Sequence, residues 1–200
     1  MNKQTGTCQD ATSLLQGNLN AGKPKVSCII EDKNKNLWVG TYGSGLYKIN
    51  LPTQHVTYYE STRNENDDWS INRLPNDWIS YLLEDREGMI WIGTYKGLAV
   101  LNPQTDNFIN YKKQNNLLPG YVVYSLLESS NGEIWAGTSE GLVCLNKDRL
   151  TPVLFTTADG LPSDIICGLA EDEKKNIWIS THQGISKLNP PEKKIINYYA

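Results

Sequence analysis

The stretch WISYLLEDREGMIWIGTYKGLAVLNPQTDNFINYK, residues 78–112, decides how the rest of the chain is read. It breaks into four strand-sized pieces, WISYLLED, MIWIGT, GLAVLN and NFINYK, rich in aliphatic and aromatic residues. Between them lie REG, YKG and PQTD, made of the residue types that form tight turns. Alone, such a unit is a small antiparallel sheet with two apolar faces and no means of burying either.

The chain writes this unit four times. Trp38, Trp91, Trp135 and Trp178 stand 53, 44 and 43 residues apart. Seven residues before each is a glutamate (Glu31, Glu84, Glu128, Glu171), and three after is a threonine (Thr41, Thr94, Thr138, Thr181). A Gly-Leu or Gly-Ile pair then leads to Asn50, Asn102, Asn146 and Asn189. Nine residues beyond each asparagine comes an aromatic: Tyr59, Tyr111, Phe155 and Tyr198. Four short antiparallel strands at a period near 43 define a β-propeller blade. The fold expected is therefore all-β, a β-propeller of four-stranded antiparallel blades, with about four blades in this chain. Stacked blades bury each other's faces, and the tryptophans should fill those joints. Trp135 is thus read as a packing residue. The glycine two after the Trp (Gly40, Gly93, Gly137, with Ser180 in the last copy) suits close approach between sheets. The glutamate column, present in every copy, is expected to be structural.

The pattern E-D-x-x-G-x-[LI]-W-I-G-T-x-x-G-L-x-x-[LI]-N-P, preceded by L-P-x-x-[VI], is cleanest from Leu74 to Pro103. It resembles the two-component regulator propeller repeat, over roughly residues 26–199. WD-type and kelch propellers fit worse, since no Trp-Asp dipeptide closes a strand and no double-glycine signature occurs. Departures are Lys35 and Asn36 where the first turn expects glycine, Ser129 for Asp in the third copy, and Ser180 for Gly in the fourth. The expected organisation is an irregular leader over 1–25 and a propeller segment over 26–200, with repeats at about 26–60, 74–112, 118–156 and 161–199.

Composition bounds what such a chain does. The net charge is −3 with acids and bases interleaved, so no basic stripe tracks phosphates and nucleic-acid binding is not expected. The longest apolar runs are four or five residues, too short to insert in a membrane as a helix. Met-Asn-Lys-Gln-Thr-Gly is followed by no apolar h-region, so no signal peptide is read there. Cys8, Cys28, Cys144 and Cys167 lack metal-ligand spacing and are expected to be small buried hydrophobes. No cofactor and no metal is expected.

Loop lengths suggest where recognition resides. The Glu-to-Trp and Asn-to-aromatic spacings never change, whereas the aromatic-to-next-Glu spacing runs 25, 17 and 16. The variation lies in connections between blades, on the face shared with the turn after each threonine. The first of these connections, Glu60 to Arg73, carries Trp69. The threonines are followed by Tyr42, Tyr95, Ser139 and His182, with Lys96 beside Tyr95. The entries LPND, LPGY and LPSD place Asp77, Tyr121 and Asp164 in equivalent spots. Tyr42, Tyr95, Lys96, His182, Trp69, Asp77, Tyr121 and Asp164 are accordingly the candidate ligand-binding residues, suited to a small carbohydrate or other polar ligand. No catalytic residue is nominated: the two histidines, His55 and His182, fall on opposite faces, and His182 with Asp164 is the only pair a lyase reading could use.

The resemblance implies a ligand-sensing, periplasmic propeller segment of a two-component sensor histidine kinase, a glycan sensor that signals by binding and not by catalysis. Two alternatives stand beside it, a protein-interaction scaffold and a propeller polysaccharide lyase or hydrolase. Four blades in an open arc would leave sheet faces uncovered. Either the remaining blades of a longer chain or a second copy, as a homodimer, is expected to cover them.

Overall fold

The computed structural model describes residues 24–61, 73–111, 118, 122–146 and 151–198. They form four four-stranded antiparallel sheets, each with its strands in chain order. Blade 1 holds β1 (Val26–Glu31), β2 (Asn36–Thr41), β3 (Leu46–Asn50) and β4 (Val56–Tyr59). Blade 2 holds β5 (Ile79–Glu84), β6 (Ile90–Thr94), β7 (Gly97–Asn102) and β8 (Asn107–Tyr111). Blade 3 holds β9 (Val123–Glu128), β10 (Ile134–Thr138), β11 (Gly141–Leu145) and β12 (Pro152–Phe155). Blade 4 holds β13 (Ile166–Glu171), β14 (Ile177–Thr181), β15 (Gly184–Asn189) and β16 (Lys194–Tyr198). The first strands pack in succession, β1 on β5, β5 on β9 and β9 on β13. Among the described residues no helix is long and apolar enough to cross a membrane.

Each repeated column has a physical task. Trp38, Trp91 and Trp135 are buried in joints between blades. All four tryptophans stack on the outer-strand aromatic of their own blade, with centroids 5.3–6.0 Å apart: Trp38 on Tyr59, Trp91 on Tyr111, Trp135 on Phe155, Trp178 on Tyr198. The indole N–H of three of them donates to the aspartate that opens the first turn, Asp32, Asp85 or Asp172, at 2.8, 2.8 and 3.0 Å. Blade 3 has Ser129 there, and the buried Trp135 Nε1 has no partner. The threonines tie the middle hairpin, donating to the carbonyls of Gly45, Gly97, Gly141 and Gly184. Asn50, Asn102 and Asn189 accept backbone amides in the following turn, an arrangement that fixes its geometry locally.

The glutamates join one blade to the next. Glu84 accepts the Lys33 amide of blade 1 at 3.1 and 3.2 Å. Glu128 accepts the Arg86 amide of blade 2 at 3.0 Å. Glu171 accepts the Ser130 amide and hydroxyl of blade 3 at 2.7 and 2.9 Å. Lys33 and Arg86 return the contact by donating to carbonyls of the neighbouring turn, Asp85 and Arg86 for Lys33, Ser129 and Ser130 for Arg86. Glu31 pairs with Lys35 of its own turn at 2.9 Å, both side chains exposed.

The glycine two after the Trp is required by the joint. A Cβ at Gly40 would lie 2.7 Å from Ile79 Cγ2, and one at Gly137 would lie 2.7 Å from Ile166 Cγ2. Blade 4 has exchanged the pair: Ser180 faces Gly168, where the other blades carry Cys28, Tyr81 and Ser125 opposite their glycine. The turn position lacking glycine in two copies is met by Lys35 and Lys175, which adopt left-handed backbone at φ 62° and 64°.

The cysteine expectation needs one correction. Cys144 is buried, and desolvation, then the Glu133 charge, pushes its thiol up to about 12. Cys28 is half-buried, but Cys167 is exposed. It sits at the bulge between Ile166 and Gly168, where the extra residue turns away from the apolar alternation. Cys8 lies outside the described residues.

The two ends of the arc differ. Blade 4 turns Ile185, Ile196 and Tyr198 outward to solvent, and Trp178 there is half-buried with the Lys187 ammonium 5.7 Å from its ring centroid. On blade 1 the side away from blade 2 keeps Val39, Tyr47 and Ile49 buried while Val26 and Ile29 are exposed.

Candidate ligand-binding site

The face that carries the inter-blade connections and the hairpin turns after each threonine presents one group of exposed aromatic rings. Trp78 ends the connection from blade 1 to blade 2, immediately before β5. Tyr42, in the middle turn of blade 1, lies 6.2 Å from it by ring centroids, with planes inclined at 63°. Tyr95, in the middle turn of blade 2, lies 5.6 Å away at 59°. The three side chains are 45, 48 and 39 % exposed in the order Tyr42, Trp78, Tyr95. Large aromatics gain most from burial, so three together in solvent, each with another's ring as a wall, form a patch with contact surface to offer.

Backbone hydrogen bonds hold this patch in place. Tyr42 pairs with Trp78 as an isolated antiparallel bridge. The Tyr42 amide donates to the Lys25 carbonyl at 2.8 Å, and the Tyr95 amide to the Trp78 carbonyl at 3.1 Å. The amides of Gly43 and Gly45 both donate to the Asp77 carbonyl. Gly43 has φ +87°, and a Cβ there would meet Trp78 Nε1 at 3.1 Å, so this turn needs a residue without a side chain for the indole to lie over it. The rings are therefore mounted on paired strand ends and a short turn, with little backbone left to order on binding.

The candidate residues distribute as follows. Tyr42 and Tyr95 are brought together through Trp78, and Lys96 follows Tyr95 in the same exposed turn. Asp77 is adjacent, and its carboxylate accepts the Ser61 amide at 2.6 Å. Asp164, its counterpart before blade 4, accepts the Thr157 amide at 2.7 Å and the Thr157 hydroxyl at 3.4 Å. These carboxylates bind their own connections to the strand that follows. His182 is exposed on blade 4, two blades from the aromatic group, with its amide on the Ile165 carbonyl. Trp69 and Tyr121 lie outside the described residues.

Trp78 is the residue that sequence reading passed over. The signal was available in its column: the residues preceding the bridge to the middle turn are Lys25, Trp78, Val122 and Ile165, and Trp78 alone is aromatic. The next column runs Tyr42, Tyr95, Ser139 and His182. Both columns turn aromatic at the same joint, between blades 1 and 2.

A second concavity lies on the opposite face, lined by Asn36, Lys48, Asn50, Thr53, His55 and Thr57. Four of these side chains, Asn36, Lys48, Asn50 and Thr53, bond to the protein itself. Asn50 donates to Asn36 at 3.0 Å, Thr53 donates to Asn50 at 2.7 Å, and Lys48 donates to the Pro103 carbonyl at 3.1 Å. Such internal satisfaction fits a structural role better than recognition. Among the described residues no group of His, Cys, Asp and Glu is arranged to hold a metal.

Comparison with known proteins agrees with this architecture. Residues 22–43, 73–96, 117–140 and 160–183 each match the family described as two component regulator propeller. No match arises among curated proteins. Among solved structures, the extracellular domain of BT3049, assigned to a hybrid two component system of B. thetaiotaomicron, is similar with a TM-score of 0.75 and 29% identity, over 88% of this chain and 23% of that one. The extracellular domain of BT4673 from the same organism shares the fold at TM-score 0.72 and 20% identity, over 87% of this chain and 25% of that one. Virginiamycin B lyase of Staphylococcus aureus shares the fold at TM-score 0.66 and 14% identity, over 88% and 56% of the two chains. The chain thus spans about a quarter of the length of the extracellular domains it matches. With four matched copies of the repeat in register with four blades, the chain belongs to the two component regulator propeller family.

Proposed function

We propose that this chain is a segment of the periplasmic, ligand-sensing propeller of a two-component sensor histidine kinase, that its ligand is a small oligosaccharide, and that it signals by binding without chemistry. The observation that carries this reading is the exposed Tyr42–Trp78–Tyr95 group on the loop-bearing face. Its two columns are aromatic only where blades 1 and 2 meet, so the rings answer no general need of the repeat. Aromatic rings with polar edges suit sugars, which present C–H faces bordered by hydroxyls. The likeness to extracellular domains of two component systems supports the extracytoplasmic setting. Absence of catalysis is favoured by the use of the Asp164 carboxylate on Thr157, which leaves His182 without a shown acid-base partner. A bound sugar would act by its different affinity for two arrangements of the sensor.

Titration calorimetry of the purified chain against a panel of soluble oligosaccharides tests this, with the solutions assayed afterwards for newly formed sugar ends. Heat of binding with no new ends is the expected result. New ends would identify a lyase or hydrolase, and no heat with any sugar would overturn the glycan reading.

A further inference from the structure

We infer that Trp78 is the central stacking residue of a site for a curved oligosaccharide of two or more pyranose rings, with Tyr42 and Tyr95 meeting the rings on either side. This rests on the glycan reading above and specifies the shape of the glycan and the residue that holds it. Three observations carry it. Trp78 contacts both tyrosines, so it is the middle of a row and not its end. The steps along that row, 6.2 and 5.6 Å, are comparable to the spacing of adjacent linked sugar rings and too long for one ring to cover all three. The planes are inclined by 63° and 59° at the two steps. A flat ribbon such as a β-1,4-linked chain would lie on coplanar rings, and it can touch only one of these. A chain that bends or turns from ring to ring presents successive C–H faces at successive angles and can meet more than one.

All three rings are exposed, and the connection is closed by backbone hydrogen bonds from Tyr42, Gly43, Gly45 and Tyr95, which survive loss of any of the side chains. Lys25, whose carbonyl holds the Tyr42 amide, and Lys96, next to Tyr95 in the chain, are both exposed, and their ammonium groups are donors that sugar hydroxyls could use.

The test compares curved series (malto- and laminari-oligosaccharides of two to six units) with flat series (cello- and xylo-oligosaccharides) on the wild-type chain and on Trp78→Ala, Trp78→Phe, Tyr42→Ala and Tyr95→Ala. Thermal melts of each variant establish that it is folded. The expected result is tenfold or greater preference for a curved series in the wild type. Trp78→Ala should weaken that binding at least tenfold, and Trp78→Phe should restore part of it. The tyrosine variants should lose affinity several-fold for longer chains and less for disaccharides. Undiminished binding by folded Trp78→Ala, or preference for a flat series, would overturn this inference while leaving the glycan reading in place. No binding of any saccharide by the wild type would overturn both.

Discussion

The joint between blades 3 and 4 and the outward face of blade 4 are written in the same columns and live in different surroundings. Leu142 is fully buried against blade 4, whereas its counterpart Ile185 is 48 % exposed. Phe155 is buried and Tyr198 is not; Cys144 is buried and its counterpart is Lys187, whose ammonium stands over Trp178. At the joint, Glu171 clamps the turn of the preceding blade, while at the far end of the arc Glu31 pairs, among the described residues, with Lys35 of its own turn. A repeat therefore specifies half of two joints, and the same residue is core or surface according to whether a neighbour is present. The value of each column can be measured by making one change on both sides of this divide.

The largest difference is expected for the aliphatic column. Leu142→Ala should destabilise the chain by about 2–5 kcal/mol, since it empties a packed joint. Ile185→Ala should cost under about 1 kcal/mol in the same chain, because its side chain is already half in water. Chemical denaturation of the two variants checks this, and equal losses would mean that the outward face is covered in solution. Next comes the glutamate column. Glu171→Ala removes acceptors from the Ser130 amide and hydroxyl and should cost about 1–2 kcal/mol. Glu31→Ala breaks an exposed pair and should cost no more than about 0.5 kcal/mol.

A third change sharpens the comparison within the joint itself. Blade 3 buries the Trp135 indole N–H without an acceptor, and carries Ser129 and Glu133, six and two residues before the Trp, at the positions of Asp32 and Asn36. Blade 1 solves the same problem with Asp32 and Asn36. The double change Ser129→Asp with Glu133→Asn should stabilise the chain by about 1 kcal/mol, measured as a raised denaturation midpoint. The smallest effect is in pH dependence. The Asn176 amide, together with the backbone amides of Asn176 and Lys174 and the Trp178 indole, outweighs desolvation and lowers the Asp172 carboxyl from the ordinary 3.8 to about 2. A depressed carboxylate contributes stability that is present above its unfolded value and is lost as pH falls towards the folded one. Acid melts of the wild type should thus weaken between about pH 4 and 2, and Asp172→Asn should show a shallower fall across that window.

Much of the fold was legible because repetition supplied its own comparison. Spacing alone located the strands, the turns and the packing tryptophans, and glycine after the Trp announced the close approach of Ile79 and Ile166. The destination of the glutamates was not legible. Glu84 meets Lys33, 51 residues away and in another copy, and no spacing within a repeat can show which turn a side chain reaches. The same limit hid the orphaned Trp135 N–H, since Ser129 looks like ordinary variation until the buried indole is found without an acceptor. At the candidate site, Tyr42 and Tyr95 were singled out by their place directly after the threonine column, on the face that carries the variable connections. Trp78 was missed because its contact with Tyr42 crosses the inter-blade connection of variable length, although it stands the same 17 residues before Tyr95 as Lys25 before Tyr42, Val122 before Ser139 and Ile165 before His182.

Columns shared by all copies pack the blades, and the exposed aromatics on the loop face are the ones proposed to serve recognition. Thermal unfolding of Trp135→Ala and Trp78→Ala, measured side by side with the wild type, tests this most directly. Trp135→Ala should lower the midpoint by on the order of 10 °C, as expected when a buried tryptophan worth about 3–5 kcal/mol is lost from a chain of this size. Trp78→Ala should melt within about 2 °C of the wild type, since exposed substitutions change stability little. Comparable drops in both variants would contradict the account and make Trp78 one more packing residue.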